Sequence, residues 1–192
     1  MNLANNGVKK YNVKKRNSKT NKCSNSQSLI EFAQNLRTGI GMDVHAFASD
    51  RKLILGGVEI PHTQGLLGHS DADVLTHAIM DAILGAARAG DIGKLFPDTD
   101  PAYAGADSLK LAEHVATHVR NLGFEIIDID SVIACQAPKL SPYREQMREN
   151  VARAFGISTE HVGIKATTTE HLGFEGREEG ISAYATCLLV RS

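Results

Sequence analysis

The spacing of apolar and polar residues changes several times along the chain, and each change marks an element. Thr38 to Val44 is punctuated by glycine and reads as extended. Leu53 to Ile60 reads as an apolar strand broken at Gly56-Gly57 and stopped by Pro61, and the two stretches together suggest a hairpin. From Asp71 to Ala89, the residues Val74, Leu75, Ala78, Ile79, Ala82 and Ile83 recur at helical spacing, with Ser70 or Asp71 as cap and Gly90 as stop. A second helix is expected over about Ser108 to Leu122, with Leu111, Val115 and Leu122 toward the core, ending before Gly123. Glu125 to Gln136 alternates, Ile127, Ile129 and Ser131 on one side against Asp128, Asp130 and Val132 on the other. It then becomes apolar throughout at Val132-Ile133-Ala134-Cys135, as a strand entering the core does. Ser141 followed by Pro142 opens a third helix that runs to Phe155 and stops at Gly156. Val162 to Thr167 and Ile181 to Val190 supply the last strands. Strands and helices mixed in this way predict an α+β fold, one sheet covered by helices on one face.

The basic N-terminal segment changes the domain picture. Residues 1 to 36 carry Lys9, Lys10, Lys14, Lys15, Arg16, Lys19 and Lys22 among many Asn and Ser, with no acid before Glu31. Such a stretch cannot bury a core and reads as disordered. A plain extension, an organelle transit peptide and a nucleic-acid arm all fit its composition, although Arg16 is its only Arg before residue 37. Residues 37–192 then form one domain, since 192 residues at 42% hydrophobic content support one sizeable core rather than two. A net charge of -1 argues against a nucleic-acid surface built on bulk charge. No apolar run approaches the roughly 20 residues that span a bilayer, so the chain is read as soluble. Cys23, Cys135 and Cys187 have no paired spacing and read as free thiols of a reducing compartment, the latter two as small core residues.

Candidate chemistry gathers between Asp43 and Asp81. Asp43 and His45 are two apart and leave the same face of a strand, while Asp73, His77 and Asp81 follow at intervals of four on one helical stripe. Strand and helix can therefore aim one Asp and two His at a point. Two imidazoles and a carboxylate suit zinc, with a fourth coordination position left to a substrate oxygen. His114 and His118 have the same i, i+4 spacing, but lie on a polar helix face and read as solvated. Loops at Asp91 to Ala106 and at Thr168 to Arg177 are polar and glycine-hinged, with the length of functional segments.

Five motifs extend this picture: Asp43-Val44-His45, the run Gly65 to Val74, the run Gly90 to Asp100, Gln136 to Lys139, and Lys165 to Glu170. Through them the chain, from Arg37 to Arg191, closely resembles the 2-C-methyl-D-erythritol 2,4-cyclodiphosphate synthase family. The resemblance implies conversion of 4-diphosphocytidyl-2-C-methyl-D-erythritol 2-phosphate to a cyclic diphosphate and CMP, in the non-mevalonate route to isoprenoid precursors. It also implies a ferredoxin-like subunit and a homotrimer with active sites between neighbouring subunits. The substrate is a cytidine-diphosphate-linked small molecule; neither nucleic acid nor membrane is an expected partner. The compartment implied is the bacterial cytoplasm, or a plastid-type organelle if residues 1–36 are a transit peptide.

By the same resemblance Asp43, His45 and His77 hold zinc, and Glu170 binds magnesium or manganese with the substrate. His69 and Thr168 stabilise the transition state, and Ser70 meets the 2-phosphate. Asp91, Ile92 and Gly93, with Phe96, Pro97, Asp98, Thr99 and Asp100, hold the methylerythritol unit. Cytosine lies against Cys135, Gln136, Ala137, Pro138, Lys139, Leu140 and Ser141 and against Thr167, Thr168, Thr169 and Glu170. Val44, Phe174 and Arg177 complete the substrate contacts. Asp81 is left between orienting a ligand and capping structure. Met42, Gly68 and Cys135 depart from residues common in the family without removing a ligand or a charge. Two rival readings use the same Asp-His-His set: a zinc hydrolase that activates water, and a trimeric module in which zinc serves folding alone.

Overall fold

The structure is a computed structural model and describes residues 28–97, 99, 100, 103 and 105–192. The chain divides into two units, Met1–Gln34 and Asn35–Ser192. In the basic extension, residues 28–35 form a helix, α1; the disorder expected for residues 1–27 lies outside the described residues, as does Cys23.

The second unit is built on a five-stranded mixed sheet. Its strands are β1 (Leu36–Ala48), β4 (Gly65–Leu66), β5 (Phe124–Ala134), β6 (Val162–Thr167) and β7 (Gly180–Arg191), in the order β4-β1-β7-β5-β6. Only β5 and β6 are parallel, joined by the crossover helix α5 (Arg144–Phe155). Helix α2 (Val74–Ala87) packs on β1 and β7 and beneath α4 (Ser108–Asn121), and two single-turn helices, α3 (Ile92–Leu95) and α6 (Gly173–Gly176), sit in the long loops. Two further strands, β2 (Leu53–Leu55) and β3 (Val58–Ile60), form a separate hairpin. The expected α+β class is observed.

Several local expectations are corrected. Residues 53–60 do not pair with β1, whose partners are β7 and β4. Gly56 and Gly57 both have positive φ, 55° and 66°, so they turn the chain back after three residues and close β2 on β3. Helix α2 starts at Val74 and its cap is Asp73, which accepts the Thr76 N–H; Ala72, at φ 58°, is not helical, so the helix does not extend back to Ser70 or Asp71. Leu122 is the C-cap of α4 and stays 43% exposed instead of joining the core. A bulge between Ile126 and Asp128 breaks the alternation of β5, which puts Ile127 outside while Ile129 and Ser131 point inward. Residues 141–143 are a turn, and α5 begins at Arg144.

The helix-covered face of the sheet is fully packed, and α2 buries twelve of its fourteen residues. A polar residue on such a helix must be satisfied within the protein. On the opposite face of β1 and β7, Ile40, Met42, Val44 and Tyr184 are exposed. Cys135 and Cys187 are buried and unpaired, and burial pushes their thiols up to about 12 and about 11. Among the described residues no helix is long and apolar enough to cross a membrane.

Candidate metal centre and cavity

β1 and α2 bring the three expected ligands together. Asp43 and His45 leave β1 on its helix-facing side, and His77 leaves the first turn of α2 beneath them. Asp43 Oδ2 is 3.0 Å from His45 Nε2 and 3.0 Å from His77 Nδ1, and the two ring nitrogens are 3.3 Å apart. Among the described residues this is the one cluster of three whose ligand atoms all lie within 4.8 Å of one another; His114 and His118 are not part of any.

Each ligand is held by its outer atom. Asp43 Oδ1 accepts the Val44 N–H at 2.8 Å, and His45 Nδ1 donates to the Leu67 carbonyl at 2.7 Å. In the neutral ring that leaves Nε2 of His45 with a lone pair facing the cluster, whereas the protonated ring donates from Nε2 to Asp43. His77 Nε2 lies 2.9 Å from Ser108 Oγ and 3.2 Å from Ser70 Oγ, on the far side of its ring. Burial opposes ionisation of Asp43, but hydrogen bonds and attraction from His45 and His77 outweigh it and hold the carboxyl well below the usual range. Burial also works against a charged His45, yet the hydrogen bond it donates to Asp43 and the attraction of that carboxylate raise its pKa on balance. A cluster of one carboxylate and two imidazoles, each steadied from outside, has the donor set and the orienting bonds of a zinc site.

The cluster forms one wall of a cavity of about 330 Å³ that His69, Ser70, Ile92, Gly93 and Phe96 also line. Met80, Tyr103 and Leu111 line it too and carry no mark of function in the sequence, although Met80 stands three residues after His77 on the same helical face. Phe96 and Tyr103 meet edge to face at 5.3 Å. Asp81 accepts the Ile92 N–H at 2.8 Å and so anchors the start of α3. Asp91 caps α3 through Lys94 N–H, while Thr99 and Asp100 are exposed and Asp98 lies outside the described residues.

Asp73 does not join the cluster. It is fully buried and takes hydrogen bonds from the N–H groups of Gly56, Gly57 and Thr76 and from the Thr76 hydroxyl, at 2.8 to 3.1 Å. Burial and the nearby Asp71 nevertheless shift its carboxyl upward.

A second group of expected site residues assembles elsewhere on the same sheet end. Cys135 N–H donates to the Thr167 carbonyl at 2.9 Å and His171 N–H to Gln136 Oε1 at 3.3 Å, joining the loop after β5 to the loop after β6. Thr168 Oγ1 donates to Glu170 Oε1 at 2.7 Å, and Glu170 and His171 both have positive φ, 53° and 62°. Lys139 and Ser141 are exposed, whereas the Leu140 side chain belongs to the core. Phe174 is half-buried and Arg177 pairs with Glu179 at 2.9 Å. The strand register puts Val44, Ser182, Ala134 and Thr167 in one row across β1, β7, β5 and β6. Three strand spacings, about 14 Å, therefore separate the two groups on one subunit.

The YgbB family profile matches residues 36–190. A 2-C-methyl-D-erythritol 2,4-cyclodiphosphate synthase from Desulfitobacterium hafniense is 60% identical over 156 residues, 81% of this chain and 99% of the relative. The chain belongs to the 2-C-methyl-D-erythritol 2,4-cyclodiphosphate synthase family. The synthase of Agathobacter rectalis is 62% identical over 154 residues, 80% of this chain and 87% of that one. Among solved structures, the bifunctional IspDF from Campylobacter jejuni superposes with a TM-score of 0.79 at 45% identity, covering 82% of this chain and 42% of that one. IspF from Plasmodium falciparum in complex with CDP superposes with a TM-score of 0.72 at 30% identity, covering 82% of this chain and 97% of that one. The synthase resemblance carried by five sequence motifs thus extends over the whole folded unit, while the basic extension before residue 36 is outside it.

Proposed function

We propose that the chain converts 4-diphosphocytidyl-2-C-methyl-D-erythritol 2-phosphate to 2-C-methyl-D-erythritol 2,4-cyclodiphosphate and CMP, as a metal-dependent, cyclising phosphorus-oxygen lyase of isoprenoid precursor synthesis. The observation that carries this reading is the convergence of Asp43, His45 and His77 on the wall of a small cavity, in a chain of the synthase family. An oxygen of the 2-phosphate attacks the β-phosphorus, and the bond from that phosphorus to the oxygen bridging to the α-phosphate breaks, so CMP leaves with the electron pair.

A phosphate monoester oxygen is already anionic near neutral pH, so no general base is required. The work is to bring two anions together and to absorb charge at the β-phosphate, which makes positioning and electrostatics the main terms. Asp43, His45 and His77 would hold zinc, which when bound would supply Lewis-acid chemistry at the β-phosphate. Glu170, a single exposed carboxylate, completes with phosphate oxygens an ordinary ligand set for magnesium or manganese. His69 and Thr168 donate to developing phosphate charge, and the Ser70 hydroxyl meets the 2-phosphate end. Ile92, Gly93 and Phe96 on the cavity wall, with Asp91 and the loop to Asp100, receive the methylerythritol unit. Backbone groups from Cys135 to Ser141 and from Thr167 to Glu170 read the cytosine edge, Lys139 steadies phosphate, and Val44, Phe174 and Arg177 border the nucleotide.

Assembly as a homotrimer of ferredoxin-like subunits suits two features. The sheet leaves an apolar face uncovered at Ile40, Met42, Val44 and Tyr184, and the two halves of the site stand apart on a single subunit. A neighbouring copy that brings its own Thr167–Glu170 loop to the metal cavity completes the site. Residues 37–192 are the synthase domain; the bacterial relatives favour a cytoplasmic enzyme.

Incubation of the purified protein with the diphosphocytidyl substrate, zinc and magnesium, followed by phosphorus NMR and mass spectrometry, tests the reading. CMP and the cyclic diphosphate are expected in equal amounts, and loss of both on chelation. A product carrying the elements of water would replace the synthase by a hydrolase, and no product at all would leave a binding module.

A further inference from the structure

We propose that Asp71 and Ser108 are positioning residues of the metal centre, holding the His77 ring in the tautomer that turns a lone pair on Nδ1 toward Asp43 and His45. This deepens the metal-site reading above and rests on it.

The direction of each hydrogen bond follows from what the atoms can donate. An ionised carboxylate only accepts. Asp71 Oδ2 accepts the Ser108 N–H at 2.9 Å, and Asp71 Oδ1 accepts the Ser108 hydroxyl at 2.5 Å, with the Asp73 N–H also on Oδ1 at 3.2 Å. The one hydroxyl proton of Ser108 is thereby committed to Asp71. Toward His77 Nε2, 2.9 Å away, Ser108 Oγ can present only a lone pair, so that ring nitrogen must carry a proton. Ser70 Oγ already accepts the Ala72 N–H at 3.2 Å and lies 3.2 Å from the same ring nitrogen, where it is a compatible second acceptor.

A neutral imidazole protonated at Nε2 offers its lone pair at Nδ1. Nδ1 is the atom that faces Asp43 Oδ2 at 3.0 Å and His45 Nε2 at 3.3 Å. His45 is held in the complementary way by Leu67, so both imidazoles are locked by the nitrogen outside the cluster. The lock is also rigid. Ser108 is fully buried as the first residue of α4, and Asp71 donates its N–H to the Ala106 carbonyl at 3.2 Å, which ties the loop before α2 to the start of α4.

Asp71→Asn reverses the polarity of this chain of bonds. The Ser108 N–H can only donate, so the amide turns its oxygen there and its NH2 toward the Ser108 hydroxyl. Ser108 Oγ then accepts from Asn and its own proton turns to His77 Nε2, which favours a proton on Nδ1, where a metal would bind. In the full-length protein, zinc affinity measured by competition with a chromophoric chelator is expected to fall about 10- to 100-fold in Asp71→Asn and in Ser108→Ala. Ser108→Thr keeps the hydroxyl and retains the wild-type affinity. Long-range proton–nitrogen NMR of the zinc-free protein above the imidazole titration range should show Nε2–H on His77 in the wild type and Nδ1–H in Asp71→Asn, with metal-free melting measured alongside.

Unchanged zinc affinity in both variants overturns the proposal. So does an affinity loss that follows only the metal-free melting temperature while the His77 tautomer stays as in the wild type. These readouts need no substrate: an inactive wild type that still shows the zinc and tautomer effects defeats the synthase reading and leaves this one standing. A wild type without zinc affinity defeats this one.

Discussion

A Cβ on Gly41 would stand 2.0 Å from the carbonyl oxygen of Ala78, the residue after His77. Gly39 makes the same approach to the Ala82 carbonyl at 1.9 Å. These two glycines let β1 lie against the backbone of α2. Asp43 and His45 follow on the same face of the strand, so the contact sets how far their side chains stand from the His77 ring. Gly41→Ala is expected to destabilise the fold by about 1–3 kcal/mol or more through overpacking against backbone, and to weaken zinc binding with it. Chemical denaturation checks this, and an unchanged midpoint would contradict the close-packing explanation.

Asp43→Asn removes the one charged ligand of the cluster, and its zinc content after dialysis should fall by more than the about 10- to 100-fold change expected for an outer hydrogen-bond partner. His77→Ala should abolish turnover. Metal analysis showing undiminished zinc in Asp43→Asn would remove Asp43 from the ligand set.

The two shifted groups give the metal-free protein a defined pH response. Asp43 is held below its ordinary value of 3.8, so its contribution to stability is present above that pH and is lost as pH falls toward the depressed folded value. His45 is held above its ordinary value of 6.5, so its contribution is complete below that pH and fades as pH rises through the raised one. Metal-free melting should therefore be highest between those two values. Zinc requires the unprotonated imidazole, so its affinity should climb as pH rises through the His45 titration. A zinc affinity that does not vary with pH across this range would contradict the raised His45 value.

Glu170→Gln should raise the magnesium concentration needed for half-maximal rate while leaving zinc affinity at the wild-type level, because Glu170 follows β6, whose last residue Thr167 stands three strand spacings, roughly 14 Å, from Val44 beside the Asp43 cluster of its own subunit. Rate against magnesium, with zinc saturating, measures it; an equal change in both metal requirements would place Glu170 outside a separate second-metal role.

Ile40 is 74% exposed on the uncovered sheet face. If that face is the assembly surface, Ile40→Glu buries an unpaired carboxylate there and should shift the protein to monomer in sedimentation velocity. An unchanged mass would direct the search for the subunit contact elsewhere.

The ligand types could be read locally because they rest on short periods. Asp43 and His45 share a face by strand alternation, and His77 sits on a helix whose apolar spacing is plain. The same rule failed for Asp73, which stands four residues before His77 but at the cap, where the chain has not yet turned helical. Its carboxylate reaches back to Gly56 and Gly57 instead. The bulge at Ile127 likewise reversed one side chain that alternation had put on the side of Ile129 and Ser131.

Residue types and local periods thus determined the α+β class, the pairing of a strand and a helix that carry the Asp and His candidates, and the loops expected to meet the substrate. Which acid completes the cluster, that Tyr103 walls the cavity, and that Asp71 reaches Ser108 across 37 positions were decided by tertiary structure. The reason is physical: a metal centre needs its donor atoms within a few ångströms of one another. That spacing is set here by the closeness of β1 to α2 at Gly41 and by the docking of α4 on the loop before α2, contacts between segments too distant in the chain for any local period to record.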